Sequence, residues 1–248
     1  ISLDSADGMR LCSLAQEMNC IVKTGYMKVF DSGYHRFVTE VRSRRDNKIK
    51  QVRAFCYMGE SYANSYDSFK PDIFKGSPSL KQKIPEVISS NDCDAYEQFL
   101  NVFSHTTHLV ETLFESSLLV NHAVLEDTGE CMALGTVLGN PIILQYVRGK
   151  QYMWDEGIDV VFEDEILELR LPAAFHENTP GTVRIRSGTD ENDERVLKPG
   201  WSSAFKKQMD VFIGQVNRGY RSEDLNDLIR AVRQVQLGEN LFQRYRKA

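Results

Sequence analysis

The run that decides the fold is SLLVNHAVLEDTGECMALGTVLGNPIILQYVRG, residues 117–149. Three apolar segments, 117–126, 131–139 and 141–149, are separated by the turn signals Asp127-Thr128-Gly129 and Gly139-Asn140-Pro141. Short segments rich in Val, Ile and Leu, bounded by Gly, Asp, Asn and Pro, read as strands. Their connections are too short for a parallel return, which needs a crossover of about a dozen residues, so neighbouring strands are antiparallel. Residues 157–164, 165–172 and 182–188 repeat the pattern, with another turn signal at Glu163-Asp164.

Upstream of this block, residues 93–115 carry a helical apolar period and predict a long helix. Residues 48–58 alternate for most of their length and predict a strand, and 33–45 predict a helix. Residues 20–27, CIVKTGYM, predict a short buried strand. The chain opens on a helix with Ser5 or Asp4 as cap and Met9, Leu11, Leu14, Ala15 and Met18 near one stripe. Residues 59–90 are rich in Ser, Tyr, Asp, Lys, Pro and Gly and read as a long irregular excursion, a length usually functional or disordered. A polar loop over 187–200 leads to two closing helices, roughly 202–218 and 222–245. The sum is an α+β fold: an open, mostly antiparallel β-sheet with helices on one face. The uncovered face must be hidden, which implies a homodimer or higher oligomer, or another domain.

A chain of 248 residues is long enough for a sizeable core, and 42% hydrophobic with 26% charged residues is ordinary for a soluble domain. The net charge of −5 argues against a general nucleic-acid binder. No apolar run approaches the roughly 18 residues of a membrane span, and no signal-peptide pattern is present. The five cysteines, Cys12, Cys20, Cys56, Cys93 and Cys131, are scattered and form no Cys-x-x-Cys pair, which suggests neither a zinc cage nor a disulfide framework. They suit a reducing compartment, with the cytoplasm as the default. The sequence begins at Ile1 without Met, directly on a helix, and reads as a piece of a longer chain.

The long helix contains NVFSHTTHLVE, Asn101 to Glu111. His105 and His108 are three apart and share a face, so they are open to three readings: core histidines, half of a metal site, or part of a catalytic face. A third ligand at a telling spacing is missing, and no metal is expected. Asn101 and His105 lie one turn apart and point the same way. The imidazole can exchange a proton near neutral pH; the amide can only orient it or hold a hydroxyl. The basic run Arg42, Arg44, Arg45, Lys48, Lys50 and Arg53 suits a helix C-terminus followed by the solvent face of a strand. Neither Gly-x-Gly-x-x-Gly nor a P-loop is present.

Four segments, in order, resemble one family. They are GYMKVFDSGY (Gly25–Tyr34), FLNVFSHTTHLVETLF (Phe99–Phe114), LELRLPAAFHENTPGTVRI (Leu167–Ile185) and WSSAFKKQMDVFIGQV (Trp201–Val216). The chain looks like the C-terminal part of the glucose–fructose oxidoreductase, inositol dehydrogenase and rhizopine-catabolism (Gfo/Idh/MocA) family. Members of that family join an N-terminal Rossmann domain to an α/β domain with an open, mostly antiparallel sheet. The resemblance implies that residues 1–248 are the substrate-binding and oligomerisation domain. Within it, 1–48 would be a helix–strand–helix segment adjoining a Rossmann domain outside this sequence. NAD or NADP would be bound mainly by that other domain, and the lysine of the family's Glu-Lys-Pro motif would lie there too.

On the same resemblance, His105 matches the family's catalytic histidine, and Asn101 stands where the family has an acidic partner. Phe103 stands at a glycine position, and His108 at a later Asp position. Lys28 matches a basic residue that reaches substrate, and Met27 lines the same site. Tyr152 and Trp154 lie where other members place a substrate-contacting aromatic. The implied reaction is hydride transfer to or from a secondary alcohol or ketone of a sugar, cyclitol or related polyol. The alternative is a non-catalytic ligand-binding and dimerisation module, favoured by Asn101 and by the missing nucleotide loop.

Overall fold

The strands assemble into one eight-stranded sheet: β1 Gln51–Met58, β2 Leu118–Leu125, β3 Cys131–Val137, β4 Asn140–Arg148, β5 Asp155–Val161, β6 Glu165–Leu171, β7 Thr182–Ser187 and β8 Glu194–Leu197. This computed structural model describes residues 2–44, 46–59, 83–150, 153–174, 176, 178–188 and 193–245. Most of the irregular excursion expected over 59–90 lies outside the described residues, as does Tyr152.

The strand order is β2-β3-β4-β1-β5-β6-β7-β8. The hairpins expected from the short connections form: β2 with β3, β3 with β4, β5 with β6 and β6 with β7 are all antiparallel. The exception is β1, which inserts between β4 and β5 and runs parallel to β4, from Val52 opposite Ile142 to Met58 opposite Arg148.

Among the described residues five α-helices accompany the sheet: α1 Ser5–Glu17, α2 Ser32–Arg42, α3 Cys93–Phe114, α4 Ala204–Arg218 and α5 Leu225–Tyr245. Asp4 caps α1, its side chain accepting from the Asp7 N–H at 3.0 Å. The core lies between the sheet and α2, α3 and α5. Val52, Ala54 and Cys56 of β1, Ile158 and Val160 of β5, and Leu167 and Leu169 of β6 meet Phe37, Phe99, Phe103 and Leu241 there. Phe103 stacks on Tyr146 of β4 with centroids 5.3 Å apart, which accounts for a large ring where the family resemblance has glycine. The opposite face carries the alternate side chains, among them exposed Met132, Leu134 and Val147. One face packed and one face open is the usual condition of an antiparallel sheet.

Three expectations need correction. Residues 20–27 form no strand. Cys20 is exposed, and the run contains Lys23, Thr24 and Gly25, which offer no apolar face to a sheet. The segment is held by side chains instead: Gln208 Nε2 donates to the Thr24 carbonyl at 2.5 Å, and Lys23 pairs with Asp227. It leads into a 3-10 turn, Met27–Phe30. The polar loop expected over 187–200 contains β8, whose exposed Glu194 and Arg195 mask it; charge on a short edge strand guards it against further pairing. Finally, α1 packs on α5 through Gly8, Cys12 and Ala15, while Met9, Leu11, Leu14 and Met18 are exposed. The side of α1 facing α5 is its small-residue side, where a Cβ at Gly8 would press on Val232.

Candidate active site

The turn Met27–Phe30 is fixed from both ends. The Met27 N–H donates to the Gly25 carbonyl at 2.8 Å. Asp31, just after the turn, caps α2 by accepting from the Tyr34 N–H at 2.9 Å, and also accepts from the Gly181 N–H at 3.0 Å. This buried carboxylate ties the turn to the loop between β6 and β7, and so sets where Met27 and Lys28 point.

Across from the turn, Asn101 and His105 project from the same side of α3. Together with Gly25, Met27, Lys28, Val102, Trp154, Ala174 and Phe205 they line a cavity of about 180 Å³. That lies below the roughly 300–1,000 Å³ of drug-sized pockets, so the space suits a single small ring. Five of the residues expected to act together do converge: Met27, Lys28, Asn101, His105 and Trp154. His108 does not line this cavity. It is buried, and its ring stacks on Tyr26 with centroids 4.1 Å apart. Tyr26 also meets His105 edge-on at 5.0 Å, so one phenol ring lies against both imidazoles. Among the described residues no group of three His, Cys, Asp or Glu side chains is placed to hold a metal ion.

Burial, then the positive charge of Lys28, then His108 push the His105 imidazole down to about 3. His108 is also pushed down to about 3, by burial and by Arg230 and Lys23. Both are neutral near pH 7, and the buried Nδ1 atom of each has no hydrogen-bond partner among the described residues. A neutral imidazole carries one donor and one acceptor nitrogen, and the His105 ring borders the cavity. Its pKa lies far below the near-neutral value at which a general base works best.

Two contributors escaped the sequence reading. Glu156 of β5 is only 1% exposed and is ion-paired with Lys28. It also accepts from Thr106 Oγ1 at 3.0 Å and from the Trp154 indole N–H at 3.0 Å. A signal for it existed: Glu156 shares strand parity with Ile158 and Val160, so it faces the core, and a core carboxylate requires a cation. Tyr26 is the second; its hydroxyl donates to Ser104 Oγ at 3.2 Å, and burial pushes it up to about 12. Of the basic run, Arg42 pairs with Glu115, Arg44 with Glu40 and Glu165, and Arg53 with Asp159. These pairings fit the structural reading of that run.

No protein-family profile matches the chain, and no curated protein matches it. Solved structures do. KijD10, a 3-ketoreductase from Actinomadura kijaniata solved with NADP and TDP-benzene, superposes with a TM-score of 0.68 at 14% identity. The match covers 96% of this chain and 66% of that one, just under two thirds of its length. UDP-N-acetylglucosamine 3-dehydrogenase GnnA from Acidithiobacillus ferrooxidans superposes with a TM-score of 0.58 at 15% identity, covering 98% of this chain and 69% of that one. The shared property is the fold: an open, mostly antiparallel sheet with helices, found in part of a 3-ketoreductase and in part of a UDP-N-acetylglucosamine 3-dehydrogenase.

Proposed function

We propose that this chain is the substrate-binding part of an NAD(P)-dependent oxidoreductase that transfers hydride to or from a secondary alcohol or ketone of a sugar, cyclitol or related polyol. The observation that carries the reading is the convergence of Lys28, Asn101, His105 and Trp154, from three separate segments, on one ring-sized cavity. His105 would exchange the hydroxyl proton, Asn101 would orient it or hold a neighbouring hydroxyl, and Lys28 would donate to the ligand. A cavity of 180 Å³ that holds one small ring has no room for a dinucleotide as well, so a second domain would hold NAD or NADP. Exposed apolar faces on α1 (Met9, Leu14, Met18) and α4 (Phe205, Met209, Ile213, Val216) suit such a domain. Exposed Met132, Leu134 and Val147 on the open sheet face suit homodimerisation, and five free cysteines suit the cytoplasm.

A second reading, a ligand-binding and dimerisation module without turnover, is favoured by one observation: His105 is held near 3 and Asn101 supplies no charge to raise it. The full-length natural protein, assayed with NADPH and NADH against keto-sugars and cyclitols, separates the two. The enzyme reading expects hydride transfer that falls by about 100-fold or more in His105→Ala. Ligand binding with no turnover across the panel selects the module.

A further inference from the structure

We infer that Glu156 sets the charge selectivity of the cavity: by occupying Lys28 it fits the site to an uncharged hydroxylated ring and turns away an anion. The inference rests on the reading that the cavity holds a sugar-like ligand, and it narrows that class to neutral rings over sugar acids and ring phosphates.

A buried carboxylate is costly unless it is paired and hydrogen-bonded, and Glu156 is both. Oε1 accepts from Thr106 Oγ1; Oε2 accepts from the Trp154 indole and faces the Lys28 ammonium. The three partners belong to three segments that border the cavity. Thr106 follows His105 on α3, Lys28 sits in the 27–30 turn, and Trp154 precedes β5. The Lys28 ammonium also lies 5.0 Å from the centre of the Trp154 ring. One side chain therefore positions three segments at once.

The electrostatic consequence follows from the lining. Among the described residues that line the cavity, Lys28 is the sole one with a formally charged side chain, His105 being neutral near pH 7. Glu156, directly behind Lys28, offsets that charge. An ammonium has three N–H donors, so Lys28 can bind Glu156 and still donate to a ligand hydroxyl. A ligand carboxylate or phosphate would have to compete with Glu156 for the same cation, and would feel its like charge at short range. Hydroxyls, which both donate and accept, match Asn101 and His105 without that conflict.

The test uses Trp154 as reporter. The chain contains two tryptophans, and the other, Trp201, is 91% exposed, so Trp201→Phe leaves fluorescence from Trp154. In that background, glucose, myo-inositol, glucuronate and inorganic phosphate are titrated into the native cleft and into Glu156→Gln. Gln keeps the shape of Glu156 and removes its charge. The expected result is preference for a neutral ring in the native cleft, a gain of about tenfold or more for glucuronate or phosphate in Glu156→Gln, and loss of that gain in Lys28→Met/Glu156→Gln. A folded Glu156→Gln that binds neither anion better than the native cleft overturns the inference, and so does a native preference for glucuronate over glucose. If Glu156→Gln does not fold, Lys28→Met/Glu156→Gln alone decides. The inference expects it to keep the native order of glucose over glucuronate, and loss of that order overturns it. These are binding measurements, so failure of hydride transfer in the enzyme assay leaves their outcome independent.

Discussion

The Tyr26 ring stacks on His108 with planes 11° from parallel, and the same ring stands at 65° to His105. This phenol separates the two histidines into different roles. His105 keeps one side to the cavity, while His108 is closed in beneath Tyr26 and alongside the Thr107–Gln234–Glu111 hydrogen-bond chain that joins α3 to α5.

Both imidazoles should therefore make stability depend on pH. Their ordinary value is 6.5 and their folded value about 3. Above about pH 6.5 neither state binds the protons, and the stability is fully present. As pH falls below that value, the unfolded chain takes up protons that the folded chain refuses, and stability is lost progressively down to about 3. The steepest loss is about 1.4 kcal/mol per pH unit for each histidine. Urea denaturation at a series of pH values should show this slope, and His108→Phe, which keeps the ring stack, should remove about one proton from it. An unchanged slope in that variant would mean that His108 titrates normally in the fold.

Asn101→Asp should raise the pKa of His105. The side chains lie one helical turn apart and border one cavity, and an opposite charge within about 4–6 Å moves a pKa by about 1–3 units. The neutral imidazole would move toward the range where it exchanges protons usefully. NMR titration of the His105 ring protons measures this directly. A pKa unmoved by the new carboxylate would show that the two side chains do not communicate, and would weaken the catalytic assignment of both.

The hairpins were readable because turn chemistry and apolar runs are local, and the Asn101–His105 pair because helical spacing is regular. What the sequence concealed depends on contacts between distant segments. The insertion of β1 between β4 and β5 leaves no local trace, because β1 and β5 are about a hundred residues apart and their complementarity appears only on pairing. Residues 20–27 looked like a strand because Ile21 and Val22 are adjacent, yet side chains from α4 and α5 claim that segment. Glu156 carries core parity but sits at the polar start of its strand, so Lys28, 128 residues away, was needed to reveal its function.

Removing one partner of the Lys28–Glu156 pair should be far worse than removing both. Lys28→Met strands a carboxylate that is 1% exposed, and breaking a buried pair in this way costs about 3–5 kcal/mol. Lys28→Met/Glu156→Leu leaves no buried charge and should recover much of that loss. A double-mutant cycle by urea denaturation reads the coupling. Additive effects would show that the two side chains contribute separately, despite their contact.

On the open face, Leu134→Arg should leave the fold intact and prevent self-association. Leu134 is 49% exposed on the same sheet face as Met132 and Val147, so the substitution disturbs little within the chain. A guanidinium there would oppose burial of an apolar patch against a second copy. Light scattering coupled to size-exclusion chromatography compares the native and variant masses. A native monomer, or a variant that still associates, would exclude this face as the contact.

Two glycine-to-alanine changes, both in helices, should shift stability in opposite directions. Alanine is the better helix former by about 1 kcal/mol, so propensity alone favours both changes. At Gly214 on α4 a Cβ meets nothing within 4 Å, and propensity should prevail, raising the melting temperature slightly. At Gly33, the second residue of α2, a Cβ would overlap the carbonyl of Gly181. That backbone cannot retreat freely, because the Asp31 carboxylate holds the Gly181 N–H at 3.0 and 3.1 Å while capping α2. Overpacking of this kind costs about 1–3 kcal/mol, which exceeds the propensity gain. Gly33→Ala should therefore lower the melting temperature. It should also weaken ligand binding, because the displaced loop carries Ala174 and the adjoining turn carries Met27 and Lys28, all on the cavity wall. A Gly33→Ala protein as stable as Gly214→Ala would show that the α2 start and the β6–β7 loop can separate without penalty, and the cavity would then lack the rigid frame assigned to Asp31.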